Sequence, residues 1–414
     1  MDATTDKLDF TMQVFDEYEN RFSKKRLEHK NRKAWLEEDK AEIKETLKAV
    51  LKFDDNLIPK IKVIKEQEAI VDGIKVKHLL FESWARFYGV ATLFIPDESS
   101  EHHYPAVIVC PGHGKKGRLT TNYQKIAANF AKRGTYALLL ENIGQGCRER
   151  FGHCDLPEVF YCGLTVQGLI IAETMAWIDY LTDMDCIDNS RIGVCGNSGG
   201  GTIVQFLAAL DERVAAAASC GYPSEYEYIM QKERRHCDCN LFCGIIGKLE
   251  MWEVYSLFAP KPLLLDTGIN DQLIPVEYFY RNSRKVSYVY EKLGASENFH
   301  FKVTDTHHSW DTQDMIAILN FFENEFNIEK CDELFEFSEI SDEDIKLKIP
   351  QDAITTAKLA QNVTQVTAPK DITLTDIFKP VYKGKELKED EIVKNFGRGS
   401  VMRVFTQFEM ALSD

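Results

Sequence analysis

A chain of 414 residues with 44% hydrophobic side chains is long enough for one large core with added segments. Its 65 acidic and 50 basic residues leave a formal net charge of −15. That argues against a nucleic-acid backbone or an anionic membrane surface as the main partner, since both reward clustered Lys and Arg. Residues 1 to about 55 read as helical: Leu8, Met12 and Phe15, then Ile43, Leu47, Val50 and Leu51, recur at helical spacing among dense charge. A solvated cap or an oligomer contact is expected there. From Ile61 the texture changes, and 61–64, 69–71, 74–76 and 91–95 read as strands, with an Asp72-Gly73 hairpin turn.

After Tyr104-Pro105, short apolar runs alternate with helical patterns. Strands are expected at 106–110, 136–140, 192–195, 214–218, 262–265 and 299–303, and helices at 123–132, 166–181, 200–210, 277–293 and 312–326. Such alternation marks βαβ units and a parallel sheet. Segment 221–252, rich in Cys, Tyr and charge, interrupts it as an inserted lid or substrate-shaping loop. From 328 the chain is acidic, then weakly patterned, and reads as an appended element.

The strongest chemical signal is Gly196-Asn197-Ser198-Gly199-Gly200. A G-x-S-x-G match alone is weak, but here an apolar strand runs into it and an apolar helix runs out. That is the context in which a strained strand-to-helix turn lifts a serine hydroxyl above a sheet. A serine needs a base and an orienting acid, which follow in the order Ser, acid, His in this architecture. Asp271, in the loop beyond the 262–265 strand, is the first choice of acid, and Asp266 the second. The base lies in Thr306-His307-His308-Ser309-Trp310. His308 is favoured over His307 because a His-x-aromatic step then leads into the final helix. Pro111-Gly112-His113-Gly114 closes an earlier strand, and the His113 backbone amide, with that of Gly199, is the expected oxyanion hole. Both Arg148 and Trp310 are candidates for binding substrate.

These motifs resemble the acetyl xylan esterase and dienelactone hydrolase-like branch of the α/β-hydrolase superfamily. The resemblance runs from about 60 to 327. It rests on Pro111-Gly112-His113-Gly114, on Glu141-Asn142-Ile143-Gly144-Gln145-Gly146, on residues 187–193 entering the elbow, and on Ala259-Pro260-Lys261-Pro262-Leu263-Leu264. It implies a mostly parallel central sheet flanked by helices, with a helical segment at 1–55, a catalytic domain at 56–327 and an extension at 328–414. The implied activity is hydrolysis of small carboxylic esters, often acetyl groups on sugars, through an acyl-enzyme. A thioesterase, a peptidase, a lyase on the same scaffold and a non-catalytic binding protein are the rivals.

Residues 1–7 lead into charge rather than an apolar export signal, no run approaches a membrane span, and eleven cysteines make an odd number. Reduced thiols and a cytoplasmic location are therefore expected. His236-Cys237-Asp238-Cys239 with Cys243 has poor spacing for a structural zinc site, so no metal and no cofactor are expected. The expected partner is a small ester, with a homo-oligomer as a use for the N-terminal helices.

Overall fold

The alternating runs assemble into a nine-stranded sheet covered on both faces. The computed structural model describes residues 26–27, 33, 35–98, 103–231, 237–245, 248–328, 330–331, 333–377, 381–382 and 385–386. The strands are β1 (Lys62–Val71), β2 (Ile74–Glu82), β3 (Tyr88–Ile95), β4 (Tyr104–Cys110) and β5 (Tyr136–Leu139), then β6 (Ile187–Asn197), β7 (Ala216–Cys220), β8 (Leu263–Gly268) and β9 (Phe299–Thr304). Their spatial order is β1-β2-β3-β5-β4-β6-β7-β8-β9. Pairs from β1 to β5 through β3 are antiparallel, and every pair from β5 through β4 to β9 is parallel.

Strand order reverses at β4, which lies between β5 and β6 with Cys110 opposite Gly196. The loop after β4 therefore leaves the sheet beside the elbow that ends β6. A switch point of this kind opens a crevice at the carboxyl ends of the strands.

The strands expected at 61–64 and 69–71 are one strand. Lys65-Glu66-Gln67-Glu68 lies on the sheet edge, where Glu66 and Glu68 pair with Lys77 of β2, so no apolar face announces it. Asp72 and Gly73 both take positive φ (48° and 75°), as a tight hairpin turn requires.

Helices α1 (Lys40–Leu51), α3 (Val166–Thr182), α4 (Gly199–Leu210) and α5 (Val276–Leu293) cover one face; α2 (Thr121–Lys132) and α6 (Thr312–Glu325) cover the other. α1 buries its apolar face in its own chain and keeps its charged side in solvent, while Leu8, Met12 and Phe15 lie outside the described residues. Ile43, Leu47, Val50 and Leu51 are buried in their own chain, Thr165 donates to the Leu51 carbonyl at 2.6 Å, and the Cys243 amide donates to that of Val50 at 2.9 Å. The described residues of the 221–252 insertion are also largely embedded, with Tyr226 and Trp252 buried and Trp252 stacked on Trp35 at 6.5 Å. The acidic extension straps across α2: Arg133 donates to the carbonyls of Cys331 and Glu333, and Gln124 bonds Ile340 in both directions. α7 (Thr356–Thr364) follows. Among the described residues no helix is long and apolar enough to cross a membrane.

Under this strap His78 of β2 is buried, bonded through Nδ1 to the Thr92 hydroxyl at 3.0 Å. Burial, reinforced by the Arg118 charge, pulls its pKa down to about 4. The folded chain thus holds His78 neutral where the unfolded chain begins to protonate it. Its contribution is intact above pH ~6.5 and is lost as pH falls toward 4, reaching about 3 kcal/mol in full. Urea midpoints of the wild type and His78→Gln are expected to differ most near pH 7, and the gap should close or reverse by pH 4.5. A gap independent of pH would contradict this.

Candidate active site

β6 runs into Ser198, whose backbone sits at φ 56° and ψ −118°, and α4 begins on the next residue. Such a conformation is costly for a side-chain-bearing residue and persists because the surroundings over-determine it. The Ser198 amide donates to the Cys220 carbonyl at 2.9 Å. Glycines make the turn possible by close approach: a Cβ on Gly200 would lie 1.9 Å from the Cys110 carbonyl oxygen, and one on Gly196 would lie 2.3 Å from that of Gly200.

Three loops deliver the rest of the machinery. His308 Nε2 stands 2.9 Å from Ser198 Oγ, and its Nδ1 stands 2.7 Å from Asp271 Oδ2. Asp271 is buried, and its other oxygen accepts from the Leu273 amide (2.7 Å) and the Ile274 amide (2.9 Å). The carboxylate is thereby aimed at the ring. It holds the proton on Nδ1 and leaves the Nε2 lone pair for the serine hydroxyl. His307 lies outside this relay, donating from Nδ1 to the Asn270 carbonyl at 3.2 Å. His307→Ala is accordingly expected to keep kcat within about threefold, whereas His308→Ala removes the base; steady-state rates of the two variants check it.

Gly199 follows the nucleophile in the chain and His113 lines the same cavity, and among the described residues neither backbone amide donates to a protein acceptor. Gly199 also opens α4, and a helix N-terminus favours negative charge. The loop carrying His113 is braced by the buried Tyr123 phenol, which accepts from the Gly112 amide at 2.8 Å, and by Gln145, which accepts from Gly114. A cavity of about 520 Å³ opens over Ser198 and His308, with Thr202, Tyr222, Ile229 and Leu273 in its walls.

Residues 25–239 match the family model described as acetyl xylan esterase (AXE1). The chain belongs to the acetyl xylan esterase family. The match includes Ser198 and ends before Asp271 and His308. Among curated proteins, YtaP of Bacillus subtilis (strain 168) is 23% identical over 217 residues, covering 49% of this chain and 73% of YtaP. Two solved structures share the α/β-hydrolase fold. Methylesterase BT1017 superposes with a TM-score of 0.60 at 20% identity, covering 78% of this chain and 72% of its own. The glucuronoyl esterase from Solibacter usitatus gives 0.54 at 12%, covering 72% and 94%. This acetyl xylan esterase family member is thus an ester-cleaving serine hydrolase, on the α/β-hydrolase fold that its motifs imply.

Other expected roles change. Arg148 is not a substrate ligand. It is fully buried and forked onto Glu173 at 2.6 and 2.9 Å, with its guanidinium over the Phe81 and Phe87 rings. A charge next to Glu149 on a loop reads as surface, but Glu173 of α3 draws it inside. Removing one partner of a buried pair strands the other. Arg148→Met is expected to cost about 3–5 kcal/mol in urea unfolding with KM unchanged, and a double change with Glu173→Gln should recover part of the loss.

Trp310 is also core, 1% exposed and edge-on to Tyr123 at 5.5 Å, beneath the His308 loop rather than in the cavity. Asp266 belongs to the body as well. Burial, then the neighbouring Asp314 carboxyl, pushes its pKa well above the usual carboxylate range, and it makes no contact with His308.

The ring of His113 has a use that the sequence reading missed. Its Nε2 meets His153, Cys237 and Cys239, and the four donor atoms lie within 4.8 Å of one another. Of the stretch weighed for metal, His236 lies outside the described residues, and Cys243 is buried away from this group.

Proposed function

We propose that this esterase removes short acyl groups, acetyl foremost, from hydroxyls of a sugar or related small metabolite, with water as acceptor. The observation that carries it is the Asp271–His308–Ser198 relay opening directly into the cavity. Ser198 Oγ attacks the ester carbonyl carbon while His308 Nε2 takes its proton. The carbonyl oxygen becomes an oxyanion facing the Gly199 and His113 amides. His308 then protonates the departing alcohol, and the same ring activates water to release the acid and regenerate Ser198.

The apolar side chains of Ile229, Leu273 and Ile274 suit a methyl-bearing acyl group, and Thr202 and Asn240 supply polar contacts for an alcohol. The eleven free cysteines support a reducing, cytoplasmic setting and a diffusible substrate over an extracellular polymer.

The test compares kcat/KM for acetylated xylose and xylobiose with that for methyl glucuronate, an acyl thioester and a peptide amide. Acetyl sugars are expected to lead. A preference for the uronate ester, the thioester or the amide would overturn the substrate reading.

A further inference from the structure

We propose that His113, His153, Cys237 and Cys239 bind one zinc ion beside the nucleophile, and that the ion clips the 237–240 turn onto the oxyanion loop. His113 Nε2 lies 2.9 Å from His153 Nε2, 3.0 Å from Cys237 Sγ and 3.2 Å from Cys239 Sγ. The two sulfurs are 2.8 Å apart, well beyond the ~2.05 Å of a disulfide. Hydrogen bonds do not account for this convergence, because a ring nitrogen offers either one N–H or one lone pair and here meets three partners. A single cation among the four atoms satisfies them all at once.

The donor set selects the ion. Two imidazoles and two thiolates form a closed tetrahedral set of the kind structural zinc takes, at about 2.0–2.1 Å from nitrogen and 2.3 Å from sulfur. Those bonds space the donors by roughly 3.3–3.8 Å, so the four close pairs open by a few tenths of an ångström to about one, and the widest pair, within 4.8 Å, closes by up to about one.

Groups around the four donors are arranged to serve them. His153 Nδ1 donates to the Ile143 carbonyl at 2.6 Å, which leaves the lone pair on the Nε2 that faces the cluster. Asn240 Nδ2 donates to Cys239 Sγ at 3.3 Å and reaches Cys237 Sγ at 3.7 Å. The Asp238 carboxylate, between the two cysteines, accepts from the Asp155 and Leu156 amides at 3.2 and 2.9 Å and pins the turn.

The ligands come from the loop after β4, the segment after β5 and the insertion, so the ion ties together parts that the sheet alone does not connect. The link to catalysis runs through His113. Its ring lies against Gly199, where a Cβ would come within 2.3 Å of it, and in the proposed mechanism its backbone amide is the second oxyanion donor. His113 is therefore a positioning residue through its ring as well as an oxyanion donor through its amide.

The full chain, purified and dialysed into metal-free buffer, is expected to carry close to one zinc per chain by elemental mass spectrometry. His153→Ala and the double variant Cys237→Ser/Cys239→Ser should carry less than about a tenth of that, while Cys331→Ser keeps it. As a readout that does not depend on folding of the ligand variants, wild type reconstituted with Co2+ is expected to show thiolate-to-metal charge-transfer absorption with the d–d bands of a tetrahedral site. Stripping the zinc should lower kcat by about 10- to 100-fold with little change in KM, and added Zn2+ should restore it. A metal-free wild type, zinc content indifferent to the ligand substitutions, or a Cys237–Cys239 disulfide in peptide mapping would overturn the site. An unchanged kcat in the zinc-free protein would overturn the clip.

Discussion

Ser198→Ala is expected to lower kcat by about 10⁶-fold on a short-chain ester and to leave the fold in place. The size follows from the geometry. His308 Nε2 has one productive partner, the Ser198 hydroxyl at 2.9 Å, and without it no acyl-enzyme forms. What survives is the modest acceleration that the Gly199 and His113 amides give to direct attack by water. The fold survives because the amide of residue 198 still donates to the Cys220 carbonyl, and alanine at φ 56° is no worse strained than serine. Rates on 4-nitrophenyl acetate, with urea unfolding of the same preparation, decide it. A variant that keeps more than about one per cent of wild-type turnover would remove Ser198 from the mechanism. A fluorophosphonate probe should label the wild type at Ser198 and fail to label the variant.

The nucleophile was readable because its signal is local: strand, glycines, serine and helix sit in one continuous stretch, and the close approaches at Gly196 and Gly200 demand those residues. The strand pattern after Tyr104 was readable because parallel strands are buried on both faces and appear as continuous apolar runs. β1 reads as two pieces because this edge strand alternates exposed and half-buried residues and carries no such run. Arg148 and Trp310 were misassigned for one shared reason. Each stands next to a catalytic loop in sequence, yet its side chain is drawn into the core by a partner far along the chain, Glu173 or Tyr123. The His113–His153–Cys237–Cys239 group was hidden more thoroughly. Its residues come from three segments separated by tens of residues in the chain, which the fold alone brings together.

Asp271→Asn should lower kcat by about 10⁴-fold, while Asp266→Asn leaves it within about a factor of two. The isosteric change at Asp271 fails for a geometric reason. One carboxylate oxygen accepts from two backbone amides, Leu273 and Ile274, and the other accepts from His308 Nδ1. An asparagine has one oxygen to offer, and the two fixed amides claim it. Its NH2 group then faces the imidazole and forces the proton onto Nε2, where it meets Ser198 and blocks proton abstraction. Asp266 faces Asp314 instead, and its raised pKa means that the folded chain holds a proton that the unfolded chain releases. That contribution is greatest below the ordinary carboxylate pKa and is lost as pH rises toward the folded value. Asparagine has no proton to lose, so the stability of Asp266→Asn relative to wild type should grow from pH 5 to pH 8 in urea unfolding. If Asp266→Asn lost activity on the scale expected of Asp271→Asn, the acid would lie on β8 itself, and the loop beyond it would have no part in the relay.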